Sequence, residues 1–390
     1  MKYLLEISKI AEAAVFCDRR RVLGYLDQLI KKLKRNGDLE SSAVLERCAR
    51  ASILNFSGGA TVGLSGGAKP TDKDSRLDLV DEAYYSVGEV AVFLRPALIE
   101  MIDEFVSSVK RATKLRRTGI KFNPSMLLYG LPGVGKSETA KYIAAQLGLP
   151  LLTVRTDSLM SSYLGSTAKN IRSVFDYAAN LPCVLFFDEF DAIAKRRDDS
   201  HELGELKRVV IGLLQNLDNL GENTVLIAAT NHEHLLDSAV WRRFAFKMHL
   251  LLPSGQERLQ MLKAFLGEYQ VTNAKMQRLV DMTEGMSGSD IRDICASAIR
   301  HLVLKDQSDL DYLDLMRTCA TFALGSGFSF NIKDKQAFVS FMAKFDGCKL
   351  NQADIALLFS VSEATISRRI KELEVVDAKR SKKTLEGCCS

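Results

Sequence analysis

The 390-residue sequence lacks three features that would place it in a particular class of protein. It contains no run of about twenty apolar residues, so we expect no transmembrane helix and no membrane partner. Charges are spread through its first nine residues, which therefore lack the apolar region of a signal peptide. Its eight cysteines include no Cys-x-x-Cys pair, so we predict no zinc site and expect a reduced, cytoplasmic protein. The net charge of +5 is mild and gives no evidence of an anionic partner.

A complete phosphate-binding loop of the form Gly-x4-Gly-Lys-Ser lies in the middle of the chain. An apolar run over 126–129 predicts a buried strand before it, and a helical pattern over 138–147 follows it. In this context backbone N–H groups and the positive end of the helix face a bound phosphate. Lys136 is expected to reach the β- and γ-phosphates, and the Ser137 hydroxyl to bind Mg²⁺. The predicted ATP-binding residues are Gly130, Leu131, Pro132, Gly133, Val134, Gly135, Lys136 and Ser137.

Two further apolar runs end in polar residues that suit phosphoryl transfer. Residues 183–187 lead into Asp188 and Glu189, and residues 224–229 lead into Thr230 and Asn231. Because the carboxyl ends of parallel strands meet at one edge of a sheet, these side chains should lie beside the phosphate-binding loop. We predict that Asp188 holds Mg²⁺ through water and that Glu189 polarises the attacking water. Asn231 would orient that water or sense the γ-phosphate. The sequence therefore predicts an α/β ATPase that uses ATP and Mg²⁺.

A segment over 235–244 contains the adjacent arginines Arg242 and Arg243. With it, the chain resembles the AAA family of ATPases, specifically the remodelling branch that contains the microtubule-severing enzymes. The resemblance covers about residues 80–303 and five separate motifs. It implies that both arginines are catalytic fingers for the neighbouring subunit, where a guanidinium stabilises the charge on the transferred phosphoryl group. Because each site then needs the next protomer, the resemblance also implies a homo-hexameric ring.

Two other motifs contribute to the resemblance. Residues 158–165 resemble the family's first pore loop, which implies that Tyr163 and Leu164 grip an extended protein substrate by stacking and apolar contact. Residues 287–291 resemble the start of the family's lid helix, with Ser289 where alanine is usual. This second match implies that the lid arginine of other AAA branches is absent.

The sequence is predicted to divide into six parts, and the small helical part at the N-terminus is by analogy an adaptor or substrate-docking module. The parts are a helical N-terminal domain (1–52), a flexible linker (53–79), a P-loop AAA α/β subdomain with a parallel sheet (80–252), a helical lid (253–306), a C-terminal helical region (307–375) and a disordered tail (376–390).

Residues 350–374 predict a helix, a short turn and a second helix. This resembles the helix-turn-helix of bacterial transcription regulators, whose second helix enters the major groove of DNA. The turn lacks the usual glycine, and small helical units of this shape also dock proteins. DNA and protein therefore both remain open as ligands of this unit. The possible DNA contacts are Thr365, Ser367, Arg368 and Arg369.

Two classes of function remain open. The first is a ring ATPase that remodels, unfolds or threads a protein substrate, and the pore-loop and arginine motifs favour it. The second is a nucleic-acid-linked NTPase or regulator that binds DNA through the C-terminal unit. The chain is also similar to bacterial AAA ATPases encoded beside subtilisin-like proteases in plasmid-maintenance and phage-defence loci. That similarity implies a neighbouring protease as a partner.

Overall fold

The computed structural model describes most of the chain after residue 76. The described residues are 29–30, 32–33, 69–72, 77–119, 122–159, 164–194, 203–221, 224–269, 271–306, 309–325, 328–345 and 350–372. Of the predicted N-terminal domain, only 29–30 and 32–33 are included, and these four residues are helical. Most of the predicted linker, the predicted disordered tail and Tyr163 lie outside the described residues.

A six-stranded sheet forms the centre of the first part of the described chain. Its spatial order is β1-β3-β4-β5-β2-β6. The strands are β1 (Val80–Ala83), β2 (Ser125–Tyr129), β3 (Leu151–Val154), β4 (Cys183–Phe187), β5 (Thr224–Thr230) and β6 (Phe246–His249). Strands β2 to β6 are parallel, whereas β1 pairs antiparallel with β3 at the edge. The predicted α/β fold is confirmed, with the antiparallel edge strand as an addition to it.

Eight helices of the described chain accompany this sheet. They are α1 (Pro96–Lys110), α2 (Ala112–Arg117), α3 (Lys136–Leu147), α4 (Thr156–Leu159), α5 (Leu164–Ala179), α6 (Asp191–Ala194), α7 (Leu203–Asp218) and α8 (Ser238–Arg243). Helices α1 and α3 pack on one face of the sheet, and α5 and α7 pack on the other.

Both faces of the central strands are therefore buried. Along β4, Leu185 packs into the core beneath α5 and α7, while Val184 and Phe186 pack into the core beneath α1 and α3. A strand covered on both sides is a continuous apolar run and does not alternate with polar residues. Because β4 and β5 are parallel, the polar residues that follow them lie at the same carboxyl edge of the sheet.

A second, entirely helical body follows the sheet in the described chain. Its helices are α9 (Gly255–Leu266), α10 (Asn273–Met282), α11 (Gly288–Leu304), α12 (Tyr312–Leu324), α13 (Lys335–Lys344), α14 (Gln352–Phe359) and α15 (363–372). One apolar core joins the predicted lid to the C-terminal helices, with Ile294 from the lid in the same cluster as Phe341 and Ile366. The boundary predicted at residue 306 thus separates helices that share a core. None of the helices described is long and apolar enough to cross a membrane.

Helices α14 and α15 meet in a helix-turn-helix arrangement at the end of this body. Ser360 has a φ of 55°, so a serine takes the left-handed conformation that glycine usually provides in such a turn. The Arg317 side chain fixes the turn by donating hydrogen bonds to the Leu358 carbonyl (3.2 Å) and to the Ser360 hydroxyl (2.8 Å). An ion pair of 2.6 Å between Arg278 and Asp354 ties α14 to the lid helix α10.

Candidate active site

A cleft of about 440 Å³ opens at the carboxyl edge of the sheet, facing the helical body. Its lining includes the phosphate-binding loop (130–137) from residue 132 onward, together with Asp188, Glu189 and Asn231. The structure therefore brings together the three strand ends that the sequence singled out. The volume lies within the range of small-molecule sites.

Two glycines of the phosphate-binding loop stand where its backbone conformation and close contacts leave no room for a side chain. Gly130 has a φ of 144°, and a side chain there would collide with the carbonyl oxygen of Leu250, the residue after β6. Gly133 has a φ of 75°, and a side chain there would collide with the hydroxyl of Ser289 at the start of α11. The amide of Ser289 also donates a hydrogen bond of 3.1 Å to the Gly133 carbonyl. The tip of the loop is thus in direct contact with the lid.

Lys136 begins α3, and its side chain turns back over the loop. The ammonium donates hydrogen bonds to the carbonyls of Gly130 (2.9 Å) and Leu131 (2.8 Å). Burial lowers the pKa of the Lys136 ammonium, and the nearby carboxylate of Asp188 opposes this shift. A buried cation at the floor of a glycine loop is suited to binding the anionic phosphates of a nucleotide.

Ser137 and Asp188, the two predicted metal ligands, are in direct contact. The Ser137 hydroxyl donates a hydrogen bond of 2.7 Å to one carboxylate oxygen of Asp188. The other carboxylate oxygen accepts the backbone N–H of Glu189 at 3.0 Å. Hydroxyl, carboxylate and phosphate oxygens are the ligands that Mg²⁺ prefers. These two side chains therefore fit an Mg²⁺ ion that is also bound to phosphate.

Glu189 and Asn231 complete the polar side of the cleft. Glu189 is exposed and has a φ of 49°, a conformation that is uncommon for residues other than glycine and that recurs at functional sites. The amide oxygen of Asn231 is buried and accepts no hydrogen bond within the described residues. A buried acceptor without a partner is costly unless a ligand or water satisfies it. Both side chains are therefore placed to contact a water molecule beside a bound phosphate.

The opposite end of the cleft is lined by side chains that the sequence analysis missed. Phe93 packs edge-on against Phe265 of α9, with ring centroids 5.7 Å apart. The Arg292 guanidinium of α11 lies 5.4 Å from the centroid of the Phe265 ring. Met261 also lines this end. Apolar periodicity in a helix indicates a core position, so Phe265 could not be recognised as a site residue from its local pattern. The resemblance implies that the lid arginine of other AAA branches is absent, but Arg292 of the lid helix α11 does line the cleft.

The two predicted finger residues end α8, which we call the finger helix. Arg243 forms a two-point ion pair with Asp218 at the end of α7, at 2.8 and 3.0 Å, and donates to the Ala239 carbonyl at 3.0 Å. The hydrogen bond to Asp218 raises the pKa of Arg243. Arg242 is exposed, and its side chain has no ion pair among the described residues. Neither arginine lines the cleft of its own chain.

The predicted pore-loop residues are only partly covered by the structure. Tyr163 lies outside the described residues, and Leu164 is the first residue of α5. The start of α5 is anchored to the segment that precedes the sheet, because Asn170 donates a buried hydrogen bond of 2.9 Å to Asp72. The role in gripping substrate therefore remains a prediction.

The four possible DNA contacts differ in their availability. Arg369 donates to the Ile332 carbonyl at 3.1 Å and pairs with Glu372 at 2.7 Å, so its side chain is engaged within the protein. The Thr365 and Ser362 hydroxyls are 2.9 Å apart at the start of α15. Ser367 is half-buried, and Arg368 is exposed. Of the two arginines, only Arg368 is placed to contact a ligand without breaking an observed ion pair.

Comparison with known proteins identifies the family. A family model described as "ATPase family associated with various cellular activities (AAA)" matches residues 126–252. The uncharacterized AAA family ATPase y4kL of Sinorhizobium fredii is 40% identical over 226 residues, which are 58% of this chain and 68% of that protein. The chain belongs to the AAA family of ATPases. The predicted ATP hydrolase is thus confirmed at the level of the family.

Two further relatives of this AAA ATPase are archaeal. The proteasome-activating nucleotidase of Methanoculleus marisnigri is 30% identical over 269 residues, covering 65% of this chain and 64% of that protein. A cell division cycle protein 48 homolog of Archaeoglobus fulgidus is 33% identical over 220 residues, covering 54% of this chain but only 30% of that protein. The crystal structure of the FIGL-1 AAA domain in complex with ADP has a TM-score of 0.52 at 23% identity, covering 68% of this chain and 93% of that one. This last likeness supports the AAA fold.

Proposed function

We propose that this AAA ATPase hydrolyses ATP in an oligomeric ring and uses the cycle to unfold or thread a protein substrate. The observation that carries the proposal is the convergence of the Ser137–Asp188 pair, Glu189 and Asn231 on one cleft beside the phosphate-binding loop. A hexamer is the ring size that the resemblance to the remodelling branch implies.

Each polar side chain has a distinct part in the proposed reaction. Ser137 and Asp188 would hold Mg²⁺, which supplies positive charge to the phosphates when bound. Lys136 donates to the phosphate oxygens. The amide oxygen of Asn231 accepts a hydrogen bond from the attacking water and so orients it, and the Glu189 carboxylate accepts the proton that this water loses.

The aromatic end of the cleft suits the nucleobase of ATP. Phe265 and Phe93 offer a ring edge and a ring face, and Met261 adds a polarisable thioether. Arg292 covers part of the Phe265 ring and keeps positive charge on the lid side of the nucleotide. Because these side chains come from both the sheet domain and the lid, bound nucleotide would hold the two bodies together.

The two arginines are proposed to have different roles, Arg242 in the site of the neighbouring subunit and Arg243 within its own chain. Arg242 is exposed and has no ion pair among the described residues, so it can enter the cleft of a neighbouring protomer. Arg243 is held by Asp218 of its own chain and so fixes the end of the finger helix. Under this proposal only Arg242 acts as a finger, whereas the resemblance implied that both arginines do.

A protein substrate is the proposed target of the motor. Relatives named for proteasome activation and regulation favour a substrate that is passed to a protease, as does the similarity to ATPases encoded beside subtilisin-like proteases. The pore loop would grip the chain through Tyr163 and Leu164, because an aromatic ring can hold an extended polypeptide without reading its sequence.

The Tyr163→Ala variant tests the proposed target. We expect ATP hydrolysis without substrate to stay near the wild-type rate, because no phosphate contact is proposed for Tyr163. Stimulation of hydrolysis by casein, a permanently unfolded protein, should be lost, and Tyr163→Phe should retain it. A Tyr163→Ala variant that casein stimulates as strongly as the wild type would contradict the threading proposal.

DNA binding is a second candidate function, favoured by the observed helix-turn-helix. The left-handed turn at Ser360 sets α15 against α14, and the outer face of α15 carries Arg368 and Lys371. Exposed Glu363 and Glu372 lie on the same helix, so the charge of this face is mixed. Duplex DNA is repelled by carboxylates near its phosphates. The protein-remodelling proposal therefore stays first.

A binding experiment separates the two candidates. If α15 binds DNA, the full chain should bind a fluorescent duplex with an affinity that falls steeply with salt. The double variant Arg368→Ala with Lys371→Ala should then reduce the salt slope by about 2, one for each lost phosphate contact. Glu363→Gln should strengthen binding. Unchanged affinity and slope in the double variant would exclude α15 as the DNA-contacting element.

A further inference from the structure

Aromatic rings join the start of the phosphate-binding loop to the finger helix. Tyr129 is the last residue of β2 and directly precedes Gly130. Its ring packs edge-on against Trp241 of the finger helix, with centroids 5.2 Å apart and an interplanar angle of 67°. The same ring stacks on His249 of β6 at 4.7 Å. Trp241 directly precedes Arg242, so a short path of packed atoms connects the loop to the exposed arginine.

The same strand also fixes the C-terminal end of the finger helix. The hydroxyl of Ser125, the first residue of β2, donates to the Arg243 carbonyl at 3.2 Å and accepts the Ala245 amide at 3.0 Å. Strand β2 therefore holds the finger helix at two points, one at each end of the strand. The Tyr129–Trp241 contact is a direct side-chain contact through which a movement at the loop end of β2 can reach the helix.

The hydrogen bonds of Lys136 should change when ATP binds, and this change would move the loop end of β2. An ammonium group has three N–H donors, and two of them serve the carbonyls of Gly130 and Leu131. If Lys136 donates to both the β- and the γ-phosphate, at least one of these carbonyls must give up its hydrogen bond. These carbonyls belong to the peptide units 130–131 and 131–132, which lie within three residues of Tyr129. Edge-to-face ring pairs depend on their geometry, so the Trp241 contact should respond.

We infer that Tyr129 and Trp241 are positioning residues that couple nucleotide binding in one protomer to the orientation of Arg242 presented to the next. The inference rests on the proposed role of Arg242 in trans. It extends that role by linking the state of a protomer's own site to the finger that it provides to its neighbour. A coupling of this kind is a difference in free energy between two arrangements of the same contact, and variants can measure it.

Fluorescence tests the first half of the inference. Trp241 is the only tryptophan of the chain, so the tryptophan emission reports on the surroundings of this one ring. In full-length Glu189→Gln protein, ATP with Mg²⁺ should change the emission and saturate at the concentrations at which calorimetry detects binding. Adding Tyr129→Leu should retain ATP binding but remove most of the emission change, whereas Tyr129→Phe should keep it. An unchanged response in the Tyr129→Leu protein, or no response in the parent despite bound ATP, would overturn the inference.

Steady-state kinetics test the second half. Trp241→Leu should lower kcat for ATP hydrolysis by about 10- to 100-fold with an unchanged KM for ATP, since a small misplacement of a catalytic group has effects of this size. Trp241→Phe should restore kcat to within a few-fold, because a ring is again present. Loss of packing alone would lower thermal stability and leave kcat per folded molecule unchanged. That pattern in Trp241→Leu would contradict a positioning role.

Arg242→Ala separates this inference from the proposal on which it rests. If Arg242→Ala hydrolyses ATP at the wild-type rate, the finger assignment itself fails. If Arg242→Ala is inactive while Trp241→Leu and Tyr129→Leu have wild-type kcat values, the finger stands and only the coupling fails. Should Trp241→Leu not fold, the fluorescence of the Tyr129 variants still decides the question.

Discussion

Replacing Arg242 with alanine is expected to lower kcat for ATP hydrolysis by about 10³- to 10⁵-fold, the effect of removing a catalytic arginine from phosphoryl transfer. ATP affinity should change little, because Arg242 does not line the cleft of its own chain. The measurement is steady-state hydrolysis at saturating ATP, with the assembled state of the variant verified by light scattering.

Arg243→Ala serves as the matched control for this prediction. Its ion pair with Asp218 is partly exposed, and such pairs contribute at most about 1 kcal/mol. Arg243→Ala and Asp218→Ala break the same contact, so both should lower kcat by less than about ten-fold even if this whole free energy were lost from the transition state. If Arg243→Ala is far more damaging than Asp218→Ala, Arg243 is itself a finger and the proposed division of the pair is wrong.

Two further variants are expected to separate the binding of ATP from its hydrolysis. Lys136→Ala should lose ATP binding, because the ammonium is the cation placed at the floor of the loop. Glu189→Gln should bind ATP normally but hydrolyse it about 10²- to 10⁴-fold more slowly, because the amide cannot accept the proton of the attacking water. Calorimetry gives the affinities, and single-turnover hydrolysis gives the rates.

Glu104→Gln on the exposed side of α1 is the control for the loss of a carboxylate, and it should leave both quantities unchanged. An ATP affinity in Lys136→Ala equal to that of the wild type would refute the role of the lysine. A wild-type hydrolysis rate in Glu189→Gln would show that a side chain other than Glu189 accepts the proton.

The central strands could be predicted because burial on both faces requires continuous apolar runs. Strand β4 is buried at all five positions, and its polar successors Asp188 and Glu189 stand out against it. Strand β1 could not be predicted in this way, because it is an edge strand whose burial varies along its four residues. The core that the lid shares with the C-terminal helices could not be predicted either. Periodicity shows that a helix has an apolar face but not which other element packs against that face.

Some residues of the candidate site could likewise be predicted from the sequence, and others could not. The loop and strand-end residues could be predicted because each follows directly from a local pattern of strand, turn or helix. Phe93, Phe265 and Arg292 could not, because distant segments of the chain bring them together. The difference between the two arginines was equally hidden, since it depends on Asp218, 25 residues away in sequence from Arg243.

The most direct test of the account measures ATP hydrolysis in mixed rings. Arg242→Ala protomers lack the finger, and Glu189→Gln protomers lack the proton acceptor, so each protein alone should be nearly inactive. A site built from the cleft of an Arg242→Ala protomer and the finger of a Glu189→Gln neighbour contains every group that the proposal requires. With subunit exchange shown by energy transfer between labelled protomers, the mixture should hydrolyse ATP well above the sum of its parts. Exchange without any recovery of hydrolysis would show that Arg242 does not complete the site of the neighbouring subunit.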